Sequence, residues 1–112
     1  MLPRQYRLTK VKDWQQLRRR GRGLAATKLA LRWYRTGAPV TRFGFTTATT
    51  VSKRANQRNL LKRQLRAIVR QYLPTIQPGF DVAVAVRPGA VGTPYAALDA
   101  ELTQLLRRSH LL

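Results

Sequence analysis

Apolar and polar positions recur with two periods along this chain, and the changes of period divide it into elements. From about Lys10 to Arg20, Val11, Trp14 and Leu17 recur at i, i+3 and i+6, the narrow apolar stripe of a helix. Thr9 is its expected N-cap. Arg18, Arg19 and Arg20 fall in its last turn, where the macrodipole favours cations, and Gly21 and Gly23 end it. Met1 to Gln5 read as an irregular lead, with Pro3 against helix. Over residues 24–35 the period drops to two: Leu29, Leu31 and Trp33 alternate with Ala30, Arg32 and Tyr34, as in a strand. Thr36-Gly37-Ala38-Pro39 reads as a turn. Val40 to Thr47 is a second strand, with Phe43, Phe45 and Thr47 on one face and Arg42, Gly44 and Thr46 on the other. So short a turn predicts an antiparallel pair.

The longest periodic stretch, Val51 to Arg70, returns to helical spacing. Leu61, Leu65, Ile68, Val69 and Tyr72 fall within a sector of about 100°, the width of a core-facing stripe. Asn59, Arg63, Arg66 and Arg70 line a second, polar stripe, and Lys62 lies between the two, placed to rest its stem on apolar surface. Ser52 is a possible cap. Pro74 and Pro78-Gly79 close the helix. Phe80 to Arg87 is the clearest strand, Val82, Val84 and Val86 alternating with Asp81, Ala83 and Ala85. Thr93 followed by Pro94 opens a last helix with the stripe Leu98, Leu102, Leu105 and Leu106, and with Arg107 and Arg108 at its end. The order predicts an α/β sandwich, one small sheet with helices packed on it. Its 112 residues make a single domain, 1–112.

Charge changes the picture. The chain carries 22 Lys and Arg against four acids, a net charge of +18, yet 44% of its residues are hydrophobic, too many for a disordered basic tail. Val51–Arg70 holds seven Lys or Arg and no acid, five of the seven being Arg. A solvated helix face mixes signs, since like charges at i,i+4 such as Lys62/Arg66 and Arg66/Arg70 repel. The guanidinium fork suits phosphate oxygens, so this face is read as a polyanion-binding surface. There is no Cys for a disulfide or thiolate site, no run near the roughly 20 apolar residues of a membrane span, and no signal-peptide pattern. A cytoplasmic location is expected by default.

The stretch V-S-K-R-A-N-Q-R-N-L-L-K-R resembles the signature of the protein subunit of bacterial ribonuclease P. That family carries R-N-R-x-K-R on its second helix; Arg58, Asn59, Lys62 and Arg63 match it, and Leu60 replaces its third basic residue. Leu60 lies off the apolar stripe, so its loss is of a surface charge. Y-R-L-x-K near the start, R-F-G-F at Arg42–Phe45 and A-V-R-P-G at Ala85–Gly89 extend the likeness over nearly the whole chain. The resemblance implies an αβββαβα order with a left-handed βαβ crossover, which the sequence fits if Gly21 to Ala26 supplies a short strand.

No protein active site is legible. His110 stands three residues from the end and reads as a frayed surface residue; Asp99 and Glu101 are two apart on a helix and point apart; Asp13 and Asp81 read as local structural charges. No catalytic or metal-ligating residue is assigned. The resemblance agrees, implying that the catalytic RNA performs the chemistry with Mg²⁺, which it mainly holds, while the protein binds as one monomer per RNA. On the same ground Lys53, Arg54, Arg58, Asn59, Lys62, Arg63, Arg66 and Arg70 are expected to face the catalytic RNA. A second surface comes from Trp14 with Arg32, Tyr34 and Arg42, rings and arginines suited to unpaired nucleotides. The family's cleft between first helix and sheet takes the 5′ leader of precursor tRNA, and Trp14 falls where the family has a cleft aromatic. Trp14 reads equally well as core; for Trp33, Phe43 and Phe45 core is favoured. The alternative is a ribosomal or general RNA-binding protein. A polybasic membrane-surface module would need apolar anchors that the core claims.

Overall fold

The computed structural model describes residues 2–112. Its elements are α1 (Val11–Arg20), β1 (Arg22–Ala25), β2 (Leu29–Arg35), β3 (Arg42–Thr47), α2 (Ala55–Tyr72), β4 (Phe80–Val86) and α3 (Tyr95–Arg108). This is the expected order, with β1 inside the stretch Gly21–Ala26. The four strands form one sheet in the order β1-β2-β4-β3, so β3–α2–β4 is the parallel crossover.

The expected β2–β3 hairpin is not formed. β4 lies between them, antiparallel to β2 and parallel to β3. The connection wraps around the start of β4: the N–H groups of Thr36 and Gly37 both donate to Gly79 O, and Thr41 Oγ1 accepts the N–H of Phe80. The alternating Val and Ala of β4 make the one strand apolar enough to be covered on both faces, and a central place pairs both its edges. That gain outweighs the short turn.

Register gives the sheet two unlike faces. Leu29, Leu31, Phe43, Val82, Val84 and Val86 face α2 and α3 and form the main core with Leu61, Leu65, Ile68, Val69, Leu98, Leu102, Leu105 and Leu106. Trp33 and Phe45 pack against it, half-buried. The other face carries Ala30, Arg32, Tyr34, Gly44, Ala83 and Ala85 and receives α1, whose buried Leu17 lies outside the main core. α1 rests on this face through Asp13, Trp14, Gln16 and Leu17, which turns Val11 outward, 71% exposed. Val11 is thus not part of the stripe.

Helix starts and chain ends depart from expectation. Lys10, Arg54 and Pro94 are the N-caps, none with a side-chain cap bond, rather than Thr9, Ser52 and Thr93. Thr93 Oγ1 instead donates to Gly89 O. α2 begins at Ala55, not Val51, because Ser52 holds the lead-in as a turn: its hydroxyl accepts the Arg54 N–H and meets Gln57 Oε1, and its carbonyl accepts from Arg58 Nη1. The lead is ordered too. Leu2 is buried in the core, Arg4–Tyr6 make a 3-10 turn, and the Leu8 N–H donates to Phe43 O along the free edge of β3. At the other end His110 is exposed but not frayed. It takes φ 63°, with His110 N donating to Arg107 O and Leu111 N to Leu106 O, a Schellman cap that seats Leu111 in the core.

Candidate nucleic-acid interface

The polar face of α2 and its lead-in form the first surface. Lys53, Arg54, Asn59 and Arg63 are exposed, and Lys62 is half-buried, as its stem position predicts. Arg70 is exposed in the last turn of α2. Arg58 Nη1 donates to Ser52 O at 2.8 Å, and the Arg66 guanidinium lies 5.9 Å from the Phe45 ring centre, a cation–π contact. Leu60 is 47% exposed, so it does lie off the apolar stripe.

The acids are placed elsewhere. Asp13 and Asp81 both meet Arg42. Asp99 accepts from the Tyr72 and Thr103 hydroxyls, and Glu101 from the Lys28 N–H, so these two carboxylates point apart. Among the described residues no acid pairs with Lys53, Arg54, Lys62 or Arg63, and none brings three His, Cys, Asp or Glu side chains together as a metal site. No described helix is long and apolar enough to cross a membrane.

The second surface is a groove of about 410 Å³ between α1 and the sheet. Trp14, Leu17 and Arg18 form one wall; Gly23, Ala25, Ala30, Ala83 and Ala85 form the floor; Arg32 and Thr46 stand at the rim. A floor of hydrogens and methyls leaves space for a flat ring. These small residues were not singled out in the sequence, although Ala30, Gly44, Ala83 and Ala85 occupy one strand parity, opposite the large apolar positions. Trp14 is both wall and anchor. It is half-buried, its Nε1 donates to Leu8 O at 3.2 Å, and its ring lies so close over Gly44 that a Cβ there would stand 2.1 Å from a ring carbon. It also lines a smaller pocket of about 180 Å³ with Phe45 and Arg66 of the α2 side. The two surfaces therefore meet at Trp14.

Of the four residues expected in the cleft, Trp14 and Arg32 line the groove, whereas Tyr34 and Arg42 share its sheet face outside the lining. Arg32 Nη1 donates to Arg18 O and Gly21 O at the end of α1. The Tyr34 hydroxyl accepts from Gln16 Nε2. Arg42 donates through Nε and Nη2 to the two Asp81 oxygens, each at 2.9 Å, and its Nη1 stands 3.2 Å from Asp13 Oδ2. The hydrogen bond to Asp81 raises the Arg42 pKa. Burial pushes the Asp81 carboxyl up, against the opposing pull of Arg42.

Comparison with known proteins gives a uniform result. A family model described as Ribonuclease P matches residues 2–110. A ribonuclease P protein component from a Cyanothece strain is 38% identical, with 100% of this chain and 98% of the relative aligned. One from a Synechocystis strain is 37% identical over 99% of this chain and 90% of the relative. The RNase P protein of Thermotoga maritima superposes with a TM-score of 0.83 at 25% identity, covering 91% of this chain and 96% of that one. A Staphylococcus aureus RNase P protein mutant with defective mRNA degradation activity gives 0.90 at 20% identity over 96% and 91%, a likeness of fold.

Proposed function

The chain belongs to the ribonuclease P protein family, and on that premise we propose that it is the single-domain protein subunit of the ribonucleoprotein that removes the 5′ leader of precursor tRNA in the cytoplasm. One copy binds the catalytic RNA through Lys53, Arg54, Arg58, Asn59, Lys62, Arg63, Arg66 and Arg70, and the groove beside Trp14 takes leader nucleotides. The observation that carries the reading is the junction at Trp14. An acid-free basic helix face and a ring-sized groove with an aromatic wall share that one side chain. Phosphate neutralisation on the first surface releases counterions. Stacking on the second accepts any base, as a leader of variable sequence requires. The chain's own donors do not fit Mg²⁺: both surfaces present cations, and Asp13 and Asp81 are committed to Arg42. The ion is therefore assigned to the RNA, as is the hydrolytic step.

The test is reconstitution. Added to a bacterial ribonuclease P RNA at low Mg²⁺, the protein should stimulate cleavage of precursor tRNA at the mature 5′ end, and alone it should cut nothing. Site-specific cleavage by RNA-free protein, or no stimulation of the RNA, would sink the proposal.

Leu60 supplies a separate check on the α2 surface. Leu60→Arg restores a cation at an exposed position, so stability should stay within about 0.5 kcal/mol of the parent. The slope of log affinity for the RNA against log salt should steepen by about 0.7–0.9. A marked fall in melting temperature would show that Leu60 packs as core, and an unchanged slope that position 60 does not face phosphate.

A further inference from the structure

The polar contacts between α1 and the sheet are made by the very side chains that flank the groove. Arg42 is the central one. It reaches from β3 to both oxygens of Asp81, which is 3% exposed, and with its remaining nitrogen to Asp13 on α1. Gln16 and Tyr34 make a second tie, and Arg32 a third, at the last carbonyls of α1. At the Arg42 cluster one positive charge faces two negative ones, so the group as a whole repels phosphate. Its buried member cannot turn away, and each of the three nitrogens of Arg42 already faces a carboxylate oxygen. Asp13 immediately precedes Trp14, whose ring must stay over Gly44 to form the groove wall.

We infer that Arg42 and Asp13 are positioning residues for the leader. They touch no RNA; they set where α1, and with it Trp14, stands above the groove floor. This rests on the leader reading of the groove, and it separates Arg42 from the residues that bind phosphate directly.

Asp13→Asn discriminates, because the two roles of Arg42 give opposite signs. Were Arg42 a phosphate ligand, deleting a neighbouring negative charge would leave or raise the preference for precursor over mature tRNA. As a positioning contact, Asn holds α1 more weakly. In the holoenzyme the precursor-to-mature affinity ratio should fall about tenfold, the loss of one stacked base, while affinity for the RNA subunit and its salt slope stay unchanged. Asp13→Glu, which keeps the carboxylate, should recover most of the ratio. In the free protein with Trp33→Phe, which leaves Trp14 as the remaining Trp of the two, Asp13→Asn should shift the emission to the red. Trp14→Ala is the control for the leader reading itself. An unchanged or raised ratio in Asp13→Asn, where Trp14→Ala lowers it, overturns the inference. Should Trp14→Ala also keep the full ratio, the leader reading fails, and the emission alone decides whether Asp13 positions α1: a red shift upholds this and an unmoved spectrum overturns it.

Discussion

Replacing Lys53, Arg54, Lys62 and Arg63 together by Gln should lower affinity for a ribonuclease P RNA about a thousandfold at 0.1 M salt. Each phosphate contact contributes roughly 0.7–0.9 to the salt slope, which at that salt is about 1 kcal/mol per contact. Four contacts give about 4 kcal/mol, and the slope itself should fall by about 3. The expectation is large because these four side chains have no acidic partner among the described residues, so their whole charge is available to RNA. It is also clean. None of the four lies in the buried core, and removing like charges from α2 and its lead-in relieves repulsion, so the melting temperature should hold or rise. Arg35, Arg87, Arg107 and Arg108 changed to Gln remove the same charge from other exposed sites and serve as the control. Binding titrations across a range of salt decide the matter. Equal losses in the two quadruple variants would mean that net charge, not the α2 face, binds the RNA.

Gly44→Val should abolish most of the preference for precursor over mature tRNA while leaving assembly with the RNA nearly intact. Val is at home in a strand, so the backbone does not object. The obstacle is the Trp14 ring, with two carbons 2.1 and 2.5 Å from the position of a Cβ. The ring is not a free end that can swing aside: its Nε1 is bonded to Leu8 O, and Asp13 before it is tied to Arg42. The ring or the whole of α1 must lift, closing or distorting the groove, and the overpacking should cost about 1–3 kcal/mol of stability. Loss of the stacking wall should lower leader affinity tenfold or more. The two residues should also be coupled. With Trp14→Ala already in place, Val at position 44 has room, so the double variant should be no worse than Trp14→Ala alone. Additive losses in melting temperature, or a Gly44→Val protein that keeps its precursor preference, would show that the ring is not held as described.

Much of this molecule was legible in local pattern. The stripes of α2 and α3 were each read at their buried positions, because helical period and burial are set by the same few neighbouring residues. The acid-free basic face and the off-stripe place of Leu60 were equally visible, since both depend only on the phase of one helix. The R-N-x-x-K-R run pointed to the family by itself. What failed depended on partners distant in sequence. The turn at residues 36–39 predicted a hairpin, but β4, some 40 residues on, took the place between β2 and β3 because it alone could be buried on both faces. Thr9, Ser52 and Thr93 had the chemistry of caps, yet other backbone groups claimed Ser52 and Thr93. Leu2, inside the stretch read as an irregular lead, and Leu111, next to the His110 read as frayed, are core residues because the sheet edge and the helix cap bring them there.

For the functional surfaces the division is the same. Sequence alone determined that the chain is a folded, strongly cationic α/β protein with a helix face kept free of acids, for these are properties of composition and of one periodic segment. Tertiary structure alone decided the groove. Its floor is a set of Gly and Ala residues from three strands, meaningless until register lays them side by side, and its wall stands where it does because Gly44 lets a tryptophan from another element approach. Arg32, Tyr34 and Arg42 looked like ligands when read along single strands. In the fold they find Arg18, Gln16, Asp13 and Asp81. A charge's partner is set by distance in space, and over separations of this kind only the packed chain fixes that distance.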